Sequence, residues 1–309
     1  MKATDALTAG LLAEGPWVRS PAPYRLVRVA GPDAADFLQR LCSQDVLALA
    51  PGAVAPAAFL DGKGKLLATC VVGRLGDADG FALETQAHQQ AGLHALLDRF
   101  HFTEQLQLSA PDLVCVERVT AAAAAGPAEA PDGVAVDGVV THFAWARRGV
   151  RFERWHAADA AALPAAQGRA LDDDTATALR MGAGLVAVGA DTEPTTLALE
   201  AHLDDHCSRT KGCYTGQEIV ARIHTYGHTN RNLVLLHLDA GAPIIAPAVL
   251  HECEDDLPVG RVMRAVPVPG RDLRVGLGYL PRDFQPVGTK LRLAGGGGGA
   301  VVVGFGDDA

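Results

Sequence analysis

The last quarter of the chain constrains the fold most. After Asn232, short apolar runs (Leu233–Leu238, Ile244–Leu250, Gly260–Ala265, Val275–Leu280, Leu291–Leu293, Ala300–Phe305) alternate with glycine- and proline-containing turns. Runs this short, punctuated this regularly, fit the strands of a small antiparallel barrel or sandwich. A boundary is therefore expected near residue 233, with residues 1–232 as a first region and 233–309 as a C-terminal β-barrel domain. Gly295–Gly299 reads as a connection inside that domain, because no Lys-Ser/Thr pair follows it to make a phosphate loop.

The first region mixes both periodicities. After a loose N-terminal stretch, Tyr24–Ala30 reads as a strand, and Gly31-Pro32-Asp33 opens a helix with Phe37, Leu38, Leu41 and Cys42 on one face. Phe59–Leu60 and Leu66–Leu75 flank Asp61-Gly62-Lys63-Gly64 as a hairpin. A strand at Phe81–Thr85 precedes a helix from Gln86 to Phe100, on which Leu93, Leu96, Leu97 and Phe100 recur at helical spacing. Leu106–Leu108, Leu113–Val119, Val139–Arg147 and Gly149–Trp155 read as strands, and the Ala/Pro/Gly-rich stretch Ala121–Gly138 as a surface loop. Asp172 caps a helix carrying Leu179 and Met181 that ends near Gly182–Gly184. The strands and helices do not alternate as in a doubly wound sheet, so the class is α+β.

Charge and cysteine usage exclude several functions. A formal net charge of −9 argues against a partner held by its phosphate backbone. No apolar run approaches the roughly 20 residues that span a bilayer. Met1 to Ala13 has one lysine and no sustained apolar stretch, so a secretory signal is not expected. The six cysteines form no C-x-x-C pair and read as reduced thiols, which implies a cytoplasmic location.

The segment Lys211-Gly212-Cys213-Tyr214-Thr215-Gly216-Gln217-Glu218, followed by Ala221-Arg222, is unlike the rest of the chain. Thr215 and Glu218 have the spacing of a capping box, which predicts a helix from about Gly216 to a stop at Gly227. Cys213 then precedes the helix N-terminus, where unpaired N–H groups and the dipole favour an anion, and Lys211 adds a positive charge. Both lower a thiol pKa, which makes Cys213 a candidate reactive thiolate supported by Lys211. The competing reading is a capped helix preceded by a small, buried, inert thiol.

The same segment resembles the signature of the YgfZ/Iba57 family, folate-binding relatives of the glycine-cleavage T-protein that support iron–sulfur cluster assembly or repair. Arg25–Leu41, the hairpin Phe59–Leu67 and Val259–Arg264 are similar to other parts of that family, so the likeness covers most of residues 24–280. It implies a ring of two α+β domains, interwoven within residues 1–232, plus the small C-terminal antiparallel β-barrel, around a central pocket for tetrahydrofolate or a one-carbon derivative. It also implies iron–sulfur proteins or their assembly machinery as partners, with neither nucleic acid nor membrane.

By position the resemblance makes Cys213 and Lys211 the reactive pair. Gly212, Tyr214, Gly216, Gln217, Glu218 and Arg222 become parts of the folate site. Glu200 matches a carboxylate that meets the pterin in the T-proteins, and a carboxylate suits the N–H donors of a pterin edge; a glutamate on a solvated helix face is the alternative. Arg180 faces the pocket or makes a surface ion pair.

The chain departs from the family in a polar linker (Asp204 to Arg209), in His202 where an asparagine is usual, and in lacking the aspartate that T-proteins carry after the strand matching Phe81–Thr85. An accessory factor is therefore expected ahead of a one-carbon (aminomethyl-type) transferase or a non-catalytic adaptor. His202 and His206, placed i, i+4 for one helix face, form with Cys207 a candidate metal set, but histidines so spaced are more often plain surface residues, and no metal site is assigned.

Overall fold

Apolar residues spaced two apart build two sheets that face each other. The computed structural model describes residues 5–76, 80–122, 132–165, 167–241, 244–296 and 298–305. Within them lie α1 (Ala6–Ala13), α2 (Ala34–Leu41), α3 (Ala87–Arg99), α4 (Asp173–Gly182) and α5 (Gln217–Tyr226).

The first sheet has five antiparallel strands in the order Val54–Leu60, Leu66–Arg74, Gly80–Gln86, Tyr24–Ala30 and Gln107–Ser109. Along two of them the side chains alternate: Val27, Val29, Phe81 and Leu83 join Phe37, Leu38, Leu93 and Leu97 of α2 and α3 in one core. Leu26 and Ala82 point the other way, into a second core with Phe143, Trp145, Val150 and Phe152. Those four belong to the second sheet, ordered Arg169–Ala170, Trp17–Arg19, Val114–Ala121, Val150–Ala157, Val140–Arg147 and Gly133–Asp137.

The six C-terminal strands close into an antiparallel barrel, in the order Arg231–Asp239, Leu273–Pro281, Pro258–Pro267, Ala248–Glu252, Lys290–Leu293 and Gly299–Val302, the last pairing with the first. Period two divides its side chains too. Val234, Leu236 and Leu238 fill the barrel, while Leu233 and Leu235 join the central core. Gly276 and Gly278 give those fillers room, since a Cβ there would meet Leu238 Cδ1 at 2.8 Å and Leu236 Cδ1 at 3.0 Å.

Polar contacts from the stretch after α4 add to this packing. Asp191, fully buried, accepts hydrogen bonds from Arg180 Nη1 of α4 at 2.6 Å, from Arg264 Nε of the barrel at 2.8 Å and from the Ala187 amide at 2.6 Å. Glu193 pairs with two further barrel arginines, Arg231 at 2.6 Å and Arg261 at 3.1 Å.

Two sequence expectations are corrected. The N-terminal stretch is not loose: Asp5 accepts from the Leu7 and Thr8 amides to start α1, whose Leu7, Leu11 and Leu12 are buried. Close packing of this helix on α4 is why residue 182 carries no side chain, as a Cβ on Gly182 would lie 1.9 Å from Thr8 Oγ1. The stretch assigned to a loop at 121–138 ends in an edge strand, Gly133–Asp137, paired with Val140–Arg147, and residues 123–131 lie outside the described residues.

Removing Asp191 would leave buried Arg180 without its counter-charge, a change that costs about 3–5 kcal/mol. Asp191→Ala is expected to lose that much in urea unfolding, whereas Asp173→Ala, whose side chain is 99% exposed, stays within about 0.5 kcal/mol of the parent. A loss below about 1 kcal/mol for Asp191→Ala would show that the barrel is held by packing alone.

Candidate functional site

The Lys211–Glu218 segment is shaped by two parts of the chain far from it, the Asp61–Gly64 turn and the end of α2. Gly216 has φ +83°, which favours glycine, and a Cβ there would lie 2.7 Å from the Asp61 carbonyl oxygen. Gly64 returns the contact: its Cβ would lie 2.7 Å from Ile219 Cβ. The Asp61–Gly64 turn and the start of α5 are thus in direct contact, each approaching the other through a glycine. The strand beside the turn is tied to the Glu200 segment, since the Leu66 amide donates to the Thr196 carbonyl at 2.8 Å.

The expected capping box does not form. Gly216, in its left-handed conformation, occupies the N-cap itself and no side chain caps α5. The Thr215 amide donates to the Arg40 carbonyl at 3.3 Å, at the end of α2. Gly227, at φ +91°, does end the helix as expected.

Lys211 docks on another element. Its ammonium is buried and donates to the Cys42 carbonyl at 2.8 Å and the Gln44 carbonyl at 2.7 Å, lying 5.0 Å from the Tyr214 ring centre. It closes the C-terminal end of α2, where a cation meets both the helix dipole and unpaired carbonyls. Burial lowers its pKa. Two of its three N–H donors are thus committed to carbonyls at the end of α2.

Cys213 is exposed, as are its neighbours Gly212 and Glu218. Cys42, Cys70, Cys115 and Cys207 are buried, and burial raises their thiol pKa values, to about 11 for Cys207. The motif therefore displays one solvent-accessible thiol on a rigid turn.

A separate cleft opens where the two sheets face each other. Its walls include Trp145, Leu185, Thr69 and Thr85, with Tyr24, Cys70, Glu84, Arg154, Arg180 and His206 as the charged and titratable groups. Arg154 is the anchor. It donates to Glu84 at 2.7 Å and, from Nε, to Glu117 at 2.8 Å, with its guanidinium 3.4 Å from the Tyr24 ring centre. Burial opposes its charge, but Tyr24, Glu117 and Glu84 outweigh burial and its pKa is raised. Burial likewise opposes the Glu84 carboxylate, yet Arg154 and a 2.8 Å hydrogen bond with His156 bring its pKa below the ordinary value.

The inner cleft has a volume of about 40 Å³, room for little more than water. Tyr24, Gln86 and Arg180 also line a vestibule of about 540 Å³, whose rim carries Arg19, His88 and Arg264.

The expected ligand residues are divided between places. Arg180 lines both cleft and vestibule. Glu200 lies instead with Arg222 in another cavity, of about 310 Å³, and its carboxylate accepts from the Leu197 amide at 3.1 Å and Arg231 at 3.4 Å. Gly212, Tyr214, Gly216, Gln217 and Glu218 line neither cavity; Tyr214 is buried beneath the motif. His202 and His206 do not share a helix face, because His202 has φ +53° between two short 3-10 turns. Among the described residues no three metal-ligating side chains come together.

Glu84, Glu117 and Arg154 were not singled out from the sequence. Their one signal is parity: Glu84 follows Ala82, and Arg154 follows Phe152, onto the face that meets the other sheet.

No protein-family model matches the chain. It is similar to the mitochondrial iron–sulfur cluster assembly factor IBA57 homolog of Mycosarcoma maydis, 28% identical over 261 residues, covering 78% of this chain and 62% of that protein. The chain thus spans less than two thirds of that relative. It is similar in structure to the glycine cleavage system aminomethyltransferase T of Bartonella henselae, with a TM-score of 0.81 at 21% identity over 96% of this chain and 90% of the other. A heterotetrameric sarcosine oxidase from Corynebacterium sp. U-96 overlaps 48% of the chain with a TM-score of only 0.29.

The Lys211 geometry predicts that Lys211→Met lowers stability by about 1–3 kcal/mol, the cost of two carbonyls losing a buried donor. It should change the alkylation rate of Cys213 by iodoacetamide less than about threefold at neutral pH. A rate at least about tenfold slower, with stability unchanged, would restore Lys211 as the thiolate's partner.

Proposed function

We propose that the chain is a member of the Iba57/YgfZ-like family, a tetrahydrofolate-binding factor for iron–sulfur cluster assembly or repair that acts through Cys213; its likeness to an IBA57 homolog and its aminomethyltransferase-like fold support this reading. The observation that carries this reading is the contact between Gly64 and Ile219 and between Gly216 and Asp61. It joins the two most family-like segments of the chain into one body that displays an exposed thiol. An accessory role is favoured over aminomethyl transfer because the aspartate expected of a T-protein is missing from this sequence.

The cleft and vestibule suit a flat nitrogen heterocycle with a charged tail. Tyr24 and Trp145 give aromatic surface, and the Glu84 carboxylate and the hydroxyls of Thr69 and Thr85 are of the kind that meets ring N–H groups. Arg19 and Arg264, with His88 and the exposed Asp173 beside them, line the vestibule and offer N–H donors to tail carboxylates. Since the inner cleft is small, only the leading edge of a ring enters it, and the vestibule takes the rest. Tetrahydrofolate, when bound, supplies a carrier for one-carbon units; the chain's own contribution is to hold and orient it. Cys213, being exposed, is available to a cluster or persulfide presented by a partner protein.

Calorimetric titration is expected to show micromolar tetrahydrofolate binding. Thr177→Trp, which fills the vestibule, should weaken it by at least about tenfold. Glu200→Ala should leave it within about twofold, because that carboxylate lines another cavity. In cells lacking the protein, the parent should restore the activity of iron–sulfur enzymes and Cys213→Ser should not. Absence of binding together with full rescue by Cys213→Ser would reject both halves of the reading.

A further inference from the structure

His206 sits in the polar linker that sets this chain apart from its family's pattern, and its surroundings are those of a working imidazole. Arg147 grips Asp205 with two bonds, Nε to Oδ2 at 2.8 Å and Nη2 to Oδ1 at 3.0 Å. The same guanidinium donates to the Gly184 carbonyl and, at 2.9 Å, to the His202 carbonyl, so it is fixed in place. Asp205 Oδ1 lies 2.8 Å from His206 Nδ1. The linker is itself strapped down, with Ser43 Oγ donating to the His206 carbonyl at 2.6 Å. The imidazole is 3% exposed, and the small surface it keeps lines the central cleft beside Glu84, Thr85 and Arg154.

We propose that His206 is a base built into the central cleft, with Arg147 and Asp205 holding its proton on Nδ1 and leaving the Nε2 lone pair for a ligand N–H group. The tautomer follows from the donor inventory. A carboxylate held ionised by a two-pronged arginine only accepts, so the nitrogen facing it must carry the hydrogen. Burial opposes the Asp205 charge, but the His206 hydrogen bond and Arg147 outweigh it and its pKa is lowered. The His206 pKa is also lowered: burial and Arg147 act against the imidazolium, while Asp205 and Asp204 favour it without prevailing. The ring is thus a neutral base at pH 7, in a cleft whose other titratable or charged groups are Tyr24, Cys70, Glu84, Arg154 and Arg180.

In the step this permits, the ligand's N–H bond breaks, its electron pair stays on the ligand nitrogen, and the proton forms the Nε2–H bond. Asp205 then steadies the imidazolium. The base rests on geometry alone; the identity of its ligand as a pterin-like heterocycle rests on the folate reading above.

Nitrogen NMR of histidine-labelled full-length protein tests both parts separately. The His206 ring is expected to be neutral at pH 7 with Nδ1 protonated, and tetrahydrofolate should move the Nε2 resonance more than Nδ1. Asp205→Asn should lower the titration midpoint further and mix the tautomers. It should also weaken tetrahydrofolate binding by about tenfold, as should His206→Phe. Asp205 is 46% exposed, so its variant remains informative if His206→Phe does not fold. A protonated ring or an Nε2–H tautomer at pH 7 overturns the base. Bound tetrahydrofolate that leaves Nε2 unmoved overturns its role toward the ligand, and no binding by the parent rejects the folate reading and the assigned ligand with it.

Discussion

Arg154 is the residue around which the two facing sheets are organised. Its guanidinium reaches Glu84 on one sheet and Glu117 on its own, and it lies against Tyr24. None of these groups could be buried alone, because an unpaired charge in an apolar interior costs several kcal/mol. Together they hold one geometry, with Arg19 adding a further bond to Glu117 at 2.7 Å. The packed core on either side would close the sheets completely; the charged cluster interrupts it, and a polar cleft results. Fold and candidate ligand site are in that sense one feature. The same logic recurs at Asp191, where buried charge fixes how the barrel meets α4.

The Lys211–Glu218 segment divides its labour differently from what its composition suggests. Its lysine, its tyrosine and its second glycine are occupied in docking: Lys211 on the end of α2, Tyr214 in the core, and Gly216 on the Asp61–Gly64 turn. What remains outside is Cys213, with Gly212 and Glu218. A motif of this kind positions a thiol without itself lining the cleft. Cleft and cysteine are separate stations, which is compatible with a factor that holds a small molecule in one place and meets a partner at another.

The sequence was most legible where local periodicity decides structure. Residues 233–302 announced their strands because alternation within each run already separates barrel-filling from core-facing side chains. The hairpin at Asp61–Gly64 and the glycine stop at Gly227 were equally readable, since turn chemistry is local. The failures share a cause. Lys211 is bound by a carbonyl 169 residues earlier, and Glu84 by an arginine 70 residues later, pairings that no window of sequence displays. Thr215 and Glu218 had the right spacing for a capping box, but the glycine between them adopts a backbone that only the docked turn explains. Helix α1 was missed because it is apolar nearly all round and so gives no helical stripe.

We place the ligand between the two sheets, in the cleft lined by Glu84, Arg154 and His206, and not beneath the motif. Hydrogen–deuterium exchange with and without tetrahydrofolate tests it directly. Added protection is expected at residues 69–71, 84–86 and 185–187, which line the cleft and vestibule, with residues 197–200 and 222–230 unchanged. Protection confined to the latter two segments would contradict it and move the site to the cavity of Glu200 and Arg222.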